Sequence, residues 1–215
     1  MSLFKLEPLA EQFDHPEQQQ QAATLGMWVF LVTELLLFGG LLSGYTIYRY
    51  LQPEVFAEGS RHLSITHGTL NTAVLLLSSF TMALALHTAQ AGRRGRVVLL
   101  LLCTMALGSV FLGIKGLEWH ELYRSHLMPA VRFAPRPSGP RLEMFFLLYF
   151  LLTGLHALHL LIAIALVGLL ALLVIAGRLS ARYYTPVLLV GLYWHFVDVV
   201  WIFLYPLLYL VQRYG

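Results

Sequence analysis

Residues 142–176 read LEMFFLLYFLLTGLHALHLLIAIALVGLLALLVIA, and this stretch decides the fold. A helix of that length exceeds the ~17–25 residues that cross a ~30 Å hydrocarbon core, so it must tilt or project past the membrane surface. Working outward, four more apolar runs lie at roughly 25–47, 68–86, 97–114 and 187–211. None alternates over about ten residues as the strands of a membrane barrel do. The chain has 215 residues, 58% of them hydrophobic and 12% charged. Soluble domains carry nearer ~25% charged residues, so a water-soluble globular protein is excluded. The expected fold is all-α: a polytopic membrane bundle of five transmembrane helices.

The connections set the predicted organisation. Residues 1–24 are polar and acidic and read as an arm, retained and disordered or surface-lying, that lacks the basic start and small-residue cleavage site of a signal peptide. The transmembrane domain follows over 25–212. Its helices are expected at about 22–51, 66–91, 96–123, 142–177 and 183–212. Gln52-Pro53 stops the first, and Gly92 with Arg93-Arg94-Gly95-Arg96 turns the chain between the second and third. The 124–142 connection, with Pro129, Pro135, Pro137 and Pro140, is the only long one.

The formal charge of +3 comes mainly from loop arginines too sparse to suggest a nucleic-acid partner. The single cysteine, Cys103, lies in an apolar run and offers neither a disulfide nor a thiolate cluster. Arginine counts do not decide orientation; their density in the two short turns leans towards a cytoplasmic N-terminus.

An ionisable residue inside the membrane is a functional candidate by default. Glu34 is the clearest. Its own helical face carries Phe30, Leu31, Phe38 and Leu41, which cannot pair with it. Burial favours its neutral form unless a neighbouring helix supplies a partner. It reads equally as a proton-handling or partner-facing carboxyl and as a packing contact. Gly40 and Gly44 form a small-xxx-small pair on another face.

Lys115, Glu118, His120 and Glu121 cluster around Trp119 at the end of the third helix. Lys115 and Glu118 share a face and can pair, although Lys and Trp at a helix end more often anchor it at the interface. His156 and His159 share a face and could give part of a metal site, but no further ligand accompanies them. Asn71 and the pair His195/Asp198 are expected to be hydrogen-bond partners, or to stand behind a metal ligand. The histidines do not suit a di-haem cytochrome, and Glu-x-x-His pairs for a di-iron site are missing. No phosphate loop, nucleophile elbow or dinucleotide fingerprint is present. No complete catalytic site is expected in this chain.

Five blocks carry a resemblance. They are Gly26-Met27 through Thr33-Glu34 to Phe38-Gly39; Leu70-Asn71-Thr72-Ala73-Val74-Leu75-Leu76; Glu118-Trp119-His120-Glu121; Thr153 to His159; and Trp194-His195-Phe196-Val197-Asp198-Val199-Val200-Trp201. In this order the sequence resembles subunit III of the haem-copper oxidases, the cytochrome c and quinol oxidase superfamily. The resemblance implies an accessory subunit with no metal or haem of its own, beside a catalytic subunit I that carries haem and copper. It implies stabilisation of that subunit, bound phospholipid, support of proton uptake, and residence in a bacterial-type inner membrane with the N-terminus inside. Glu34 matches the family's buried carboxyl associated with carbodiimide modification, whereas Asn71, Lys115, Glu118, Glu121, His156, His159, His195, Asp198 and Trp201 would be lipid or structural polar contacts. Many members have seven helices, and Lys115 stands where many have an uncharged residue. The stretches 149–154 and 204–210 resemble the short branch associated with nitric oxide reductase, which makes an accessory subunit of that enzyme the alternative. A free-standing haem or proton-coupled carrier using His156, His159 and His195 is the remote one.

Overall fold

The computed structural model describes residues 11–129, 132–133, 139–179 and 184–210. Five helices are long and apolar enough to cross a membrane, which makes the chain a multi-pass membrane protein of all-α architecture. In chain order they are α1 (Pro16–Leu51), α3 (Ile65–Gln90), α4 (Arg94–Arg124), α5 (Gly139–Ile175) and α6 (Thr185–Tyr205). A short helix, α2 (Pro53–Arg61), sits between α1 and α3.

The ends follow local chemistry. Pro16 opens α1, where its missing N–H is no loss, with Glu17 complementing the helix dipole in the first turn. The helix therefore begins inside the stretch expected to be an irregular arm, because the glutamine run that reads as polar is also a good helix former. Ser64 caps α3, its hydroxyl accepting from the His67 N–H at 3.3 Å. Gly92 (φ 69°) and Gly177 (φ 74°) take the left-handed turns after α3 and α5.

Two elements differ from expectation. The residues after Pro53 form α2 because its apolar side chain Phe56 and the small Gly59 face the bundle, Gly59 against the Phe145 ring. The long connection carries a two-residue hairpin, with β1 (Leu127–Met128) antiparallel to β2 (Arg132–Phe133). Beyond α6 the helix widens at Pro206 into a π-helical turn, Pro206–Leu210.

Helices α3, α4, α5 and α6 pack as the inner bundle, and α1 leans on its side against α6, α5 and α2. Only 11% of the apolar window of α1 is buried, against 50% for α6. The inner helices are tied by hydroxyl bonds as well as by apolar packing. Thr81 and Thr104 bond at 2.8 Å between α3 and α4, and the Trp194 and Trp201 indoles donate from α6 to Ser78 and Thr72 of α3, each at 3.1 Å. Gly108 lets the Trp194 ring lie against α4, where a methyl would meet it at 2.8 Å.

Candidate functional site

Glu34 finds its partner on α5. Its Oε2 lies 2.9 Å from His159 Nε2, and the two side chains are 17% and 10% exposed. The other ring nitrogen, Nδ1, lies 2.8 Å from the Leu155 carbonyl oxygen. A carbonyl only accepts, so Nδ1 carries a hydrogen. In neutral His159, Nε2 is then a lone pair, and an ionised Glu34 would face it acceptor to acceptor. The 2.9 Å contact requires one proton between them, either on Glu34 or on His159. The backbone thus fixes the tautomer of His159 and leaves Nε2 to face Glu34.

That pair opens into a groove of about 540 Å³ where α1, α5 and α6 meet. Met27, Phe30, Ile162, Leu166, Leu189, Val190 and Tyr193 line the rest of it. Phe38 covers the inner side, its ring edge-on to His159 at 5.2 Å. The Tyr193 hydroxyl, 3.4 Å from the His159 carbonyl oxygen, is the other polar group in the wall. Chemically, the groove offers apolar walls with the Glu34–His159 pair and the Tyr193 hydroxyl as its polar groups.

Lys115 and Glu118 do pair, at 2.9 Å, but the interface-anchoring expectation fails because both side chains are 3% exposed. Lys115 does not snorkel: its Nζ donates to Glu118 Oε2, to the Tyr149 hydroxyl at 3.0 Å and to the Tyr209 hydroxyl at 2.6 Å. Its three hydrogens are thereby used. The Tyr209 hydroxyl donates to the Glu118 carboxylate, 2.9 and 2.8 Å from its two oxygens. The ammonium also lies about 5 Å from the Tyr149, Trp201 and Tyr209 ring centroids. Glu121 and His120 are exposed and take no part in this network.

The remaining candidates do not form the pairs expected of them. His195 does not bond Asp198; its Nδ1 lies 2.8 Å from the Ser79 hydroxyl of α3. The spacing of three does put the two on one face of α6, but both turn to Ser79 of α3 and not to each other, Asp198 buried and His195 half-buried at the seam. Among the described residues Asn71 and His156 have no hydrogen-bond partner at any side-chain nitrogen or oxygen, and the buried Asp198 carboxyl has the Ser79 hydroxyl beside it. The His156 ring is wedged between Phe111 and Trp201, at 5.5 and 5.2 Å. His156 and His159 share a face of α5 yet enter different surroundings. No group of three or more His, Cys, Asp or Glu able to hold a metal ion occurs among the described residues.

Sequence reasoning did not single out Tyr149, Tyr209, Ser79 or Tyr193. Tyrosines in apolar runs read as interfacial aromatics, and only the i, i+7 spacing of Tyr149 and His156 hints that both face inward.

Comparison with known proteins places this architecture. The family model described as "Cytochrome c oxidase subunit III" matches residues 9–212. Cytochrome c oxidase subunit 3 of Thermostichus vulcanus is 31% identical over 207 residues, covering 94% of this chain and 93% of that one. Cytochrome bo(3) ubiquinol oxidase subunit 3 of Pseudomonas aeruginosa is 29% identical over 203 residues, 92% and 89% of the two chains. Heme-copper oxidase subunit I+III of Aeropyrum pernix is 28% identical over 207 residues, 94% of this chain but 24% of that longer one. With five membrane-spanning helices and a family match along nearly its whole length, this chain belongs to the cytochrome c oxidase subunit III family.

Proposed function

We propose that the chain is the accessory, non-redox subunit III of a haem-copper terminal oxidase, in which a partner subunit I carries haem and copper, reduces oxygen to water and translocates protons. The observation that carries this reading is the family match over residues 9–212. The Aeropyrum relative, whose printed name joins subunits I and III in one protein, supports adjacency to the catalytic subunit. The chain stabilises that subunit in a bacterial-type inner membrane, with its N-terminus in the cytoplasm. The apolar groove beside Glu34 accepts a phospholipid chain, and the proton held between Glu34 and His159 ties the subunit to proton uptake. Asn71, Lys115, Glu118, Glu121, His156, His195, Asp198 and Trp201 serve as structural or lipid contacts.

A mild-detergent pull-down of the tagged chain, with a reduced-minus-oxidised spectrum and mass spectrometry of the companions, tests the assignment. Haem and copper arriving with an oxygen-reducing subunit I are expected. A nitric oxide reductase as companion, or a colourless solitary chain, would overturn it.

A further inference from the structure

Polar side chains inside a membrane turn towards other helices, because hydrocarbon offers them no hydrogen bond. His195 obeys that rule with only one of its two nitrogens. It stands ten residues after Thr185 and ten before Tyr205, the two ends of α6. At ~1.5 Å per residue it lies ~15 Å from either end, the middle of a ~30 Å hydrocarbon core. Its Nδ1 is 2.8 Å from the Ser79 hydroxyl of α3, which also has the buried Asp198 carboxyl beside it. Its Nε2 has no hydrogen-bond partner among the described residues. The ring is half-buried, and Nε2 is not one of the sealed atoms, as both nitrogens of His156 are. The Ser79 bond therefore holds one nitrogen inward and leaves the other at the outer surface of the α3–α6 seam.

That surface is otherwise apolar and uncovered. Leu76 and Ala83, three before and four after Ser79, are exposed on α3, and Val199 and Ile202, four and seven after His195, are exposed on α6. These spacings keep each set on one helical face. Helix α1 packs on another side of α6, through Phe30 on Tyr193 at 5.9 Å and Phe38 on Phe196 at 6.2 Å. The chemistry of Nε2 selects what covers the seam. Lipid tails cannot bond it, and bulk water does not reach this depth. A second helix with a hydroxyl, amide or carboxyl at its own midpoint can bond it, whichever tautomer the imidazole holds. A second copy of this chain, docked by two-fold symmetry, would set His195 against His195 and satisfy both only if their tautomers differed. A different chain carries no such condition.

We propose that the outer face of the α3–α6 seam docks a transmembrane helix of a different chain, whose mid-membrane polar side chain hydrogen-bonds His195 Nε2. Ser79 positions the ring for that contact, and Leu76, Ala83, Val199 and Ile202 give the apolar surface on which the helix lies. The surface is separate from the Glu34 groove, and the proposal holds for whichever membrane complex the chain joins.

Histidine modification by diethyl pyrocarbonate, read by peptide mass spectrometry, tests it on the unaltered protein. The chain is compared in the complex purified in mild detergent and after a harsher detergent has stripped its companions. His195 should react several-fold faster in the stripped chain, while the sealed His156 stays unmodified in both. Two variants of the complex then separate docking from folding. His195→Leu should release the companion chain at a lower detergent concentration, and His195→Gln, whose amide can still bond the partner, should retain it. Equal reactivity of His195 in the complex and in the stripped chain would overturn the proposal, even with an oxygen-reducing companion present. A chain that purifies alone with His195 reactive, or protection that follows a dimer of this chain, would overturn it too.

Discussion

Two carboxylates of this bundle each meet a nitrogen base at 2.9 Å, and the surroundings make them opposites. Glu118 and Lys115 lie within the bundle, and every hydrogen of the ammonium is directed to an oxygen. Glu34 and His159 sit between the loosely packed α1 and the inner bundle, open to an apolar groove, with one proton between two atoms that can each hold it. The first arrangement ties α4, α5 and the π-helical turn together; the second ties α1 to α5 through a single contact. What separates them is enclosure and the number of partners, since the acid is the same residue type in both.

The largest expected effect comes from breaking the sealed pair. Lys115→Met leaves Glu118 buried without its cation and should cost ~3–5 kcal/mol, read as a fall in unfolding midpoint in detergent. Adding Glu118→Leu should recover most of that loss, since replacing both partners of a buried pair is far milder than removing one. A harmless Lys115→Met would mean that the network does not hold α4, α5 and the π-helical turn together.

Next comes Gly68→Ala. The added methyl would meet the Tyr205 ring at 2.6 Å and Tyr209 at 3.2 Å. Overpacking of this kind costs ~1–3 kcal/mol. The strain falls on the sealed network through Tyr209, so Glu34 chemistry should be unchanged while the unfolding midpoint drops. A change confined to the Glu34 groove would break the separation between the two regions.

Glu34→Gln should be the mildest for stability. The glutamine amide can donate to His159 Nε2, so the hydrogen bond survives and the loss should stay within ~1 kcal/mol. Its effect should appear instead during turnover of the complex, as faster loss of activity with assembly intact. An unaltered turnover lifetime would remove the proton role assigned to Glu34. Glu34→Leu, which leaves His159 Nε2 without a partner, should destabilise more than Glu34→Gln.

The sequence alone leads a long way into this fold and less far into its interior. Run lengths identified the five spans, and Gln52-Pro53, Gly92 and the prolines of the long connection placed the breaks. Helix ends within polar residues were less legible, because the glutamines before Ala22 extend α1 as readily as they would form an arm. Glu34 was legible as an anomaly, since no residue of its own helix could serve it; its partner was not, because a bond between residues 34 and 159 is a property of packing. Lys115 and Glu118 show the reverse. Their spacing disclosed the pair, while its depth depended on Tyr149 and Tyr209, which come from other helices. The spacing of three misled at His195 and Asp198, which share a face of α6 but meet the Ser79 hydroxyl of α3 in place of each other.

The contrast between the two carboxylates can be read in one measurement. A hydrophobic carbodiimide reacts with carboxyls that can be protonated and reached from an apolar phase. After treatment of the purified membrane complex, peptide mass spectrometry should find Glu34 modified and Glu118 unmodified, with the Glu34 modification absent from Glu34→Gln. Modification of Glu118 at the same rate, or an unreactive Glu34, would contradict a proton-holding groove beside a sealed ion pair.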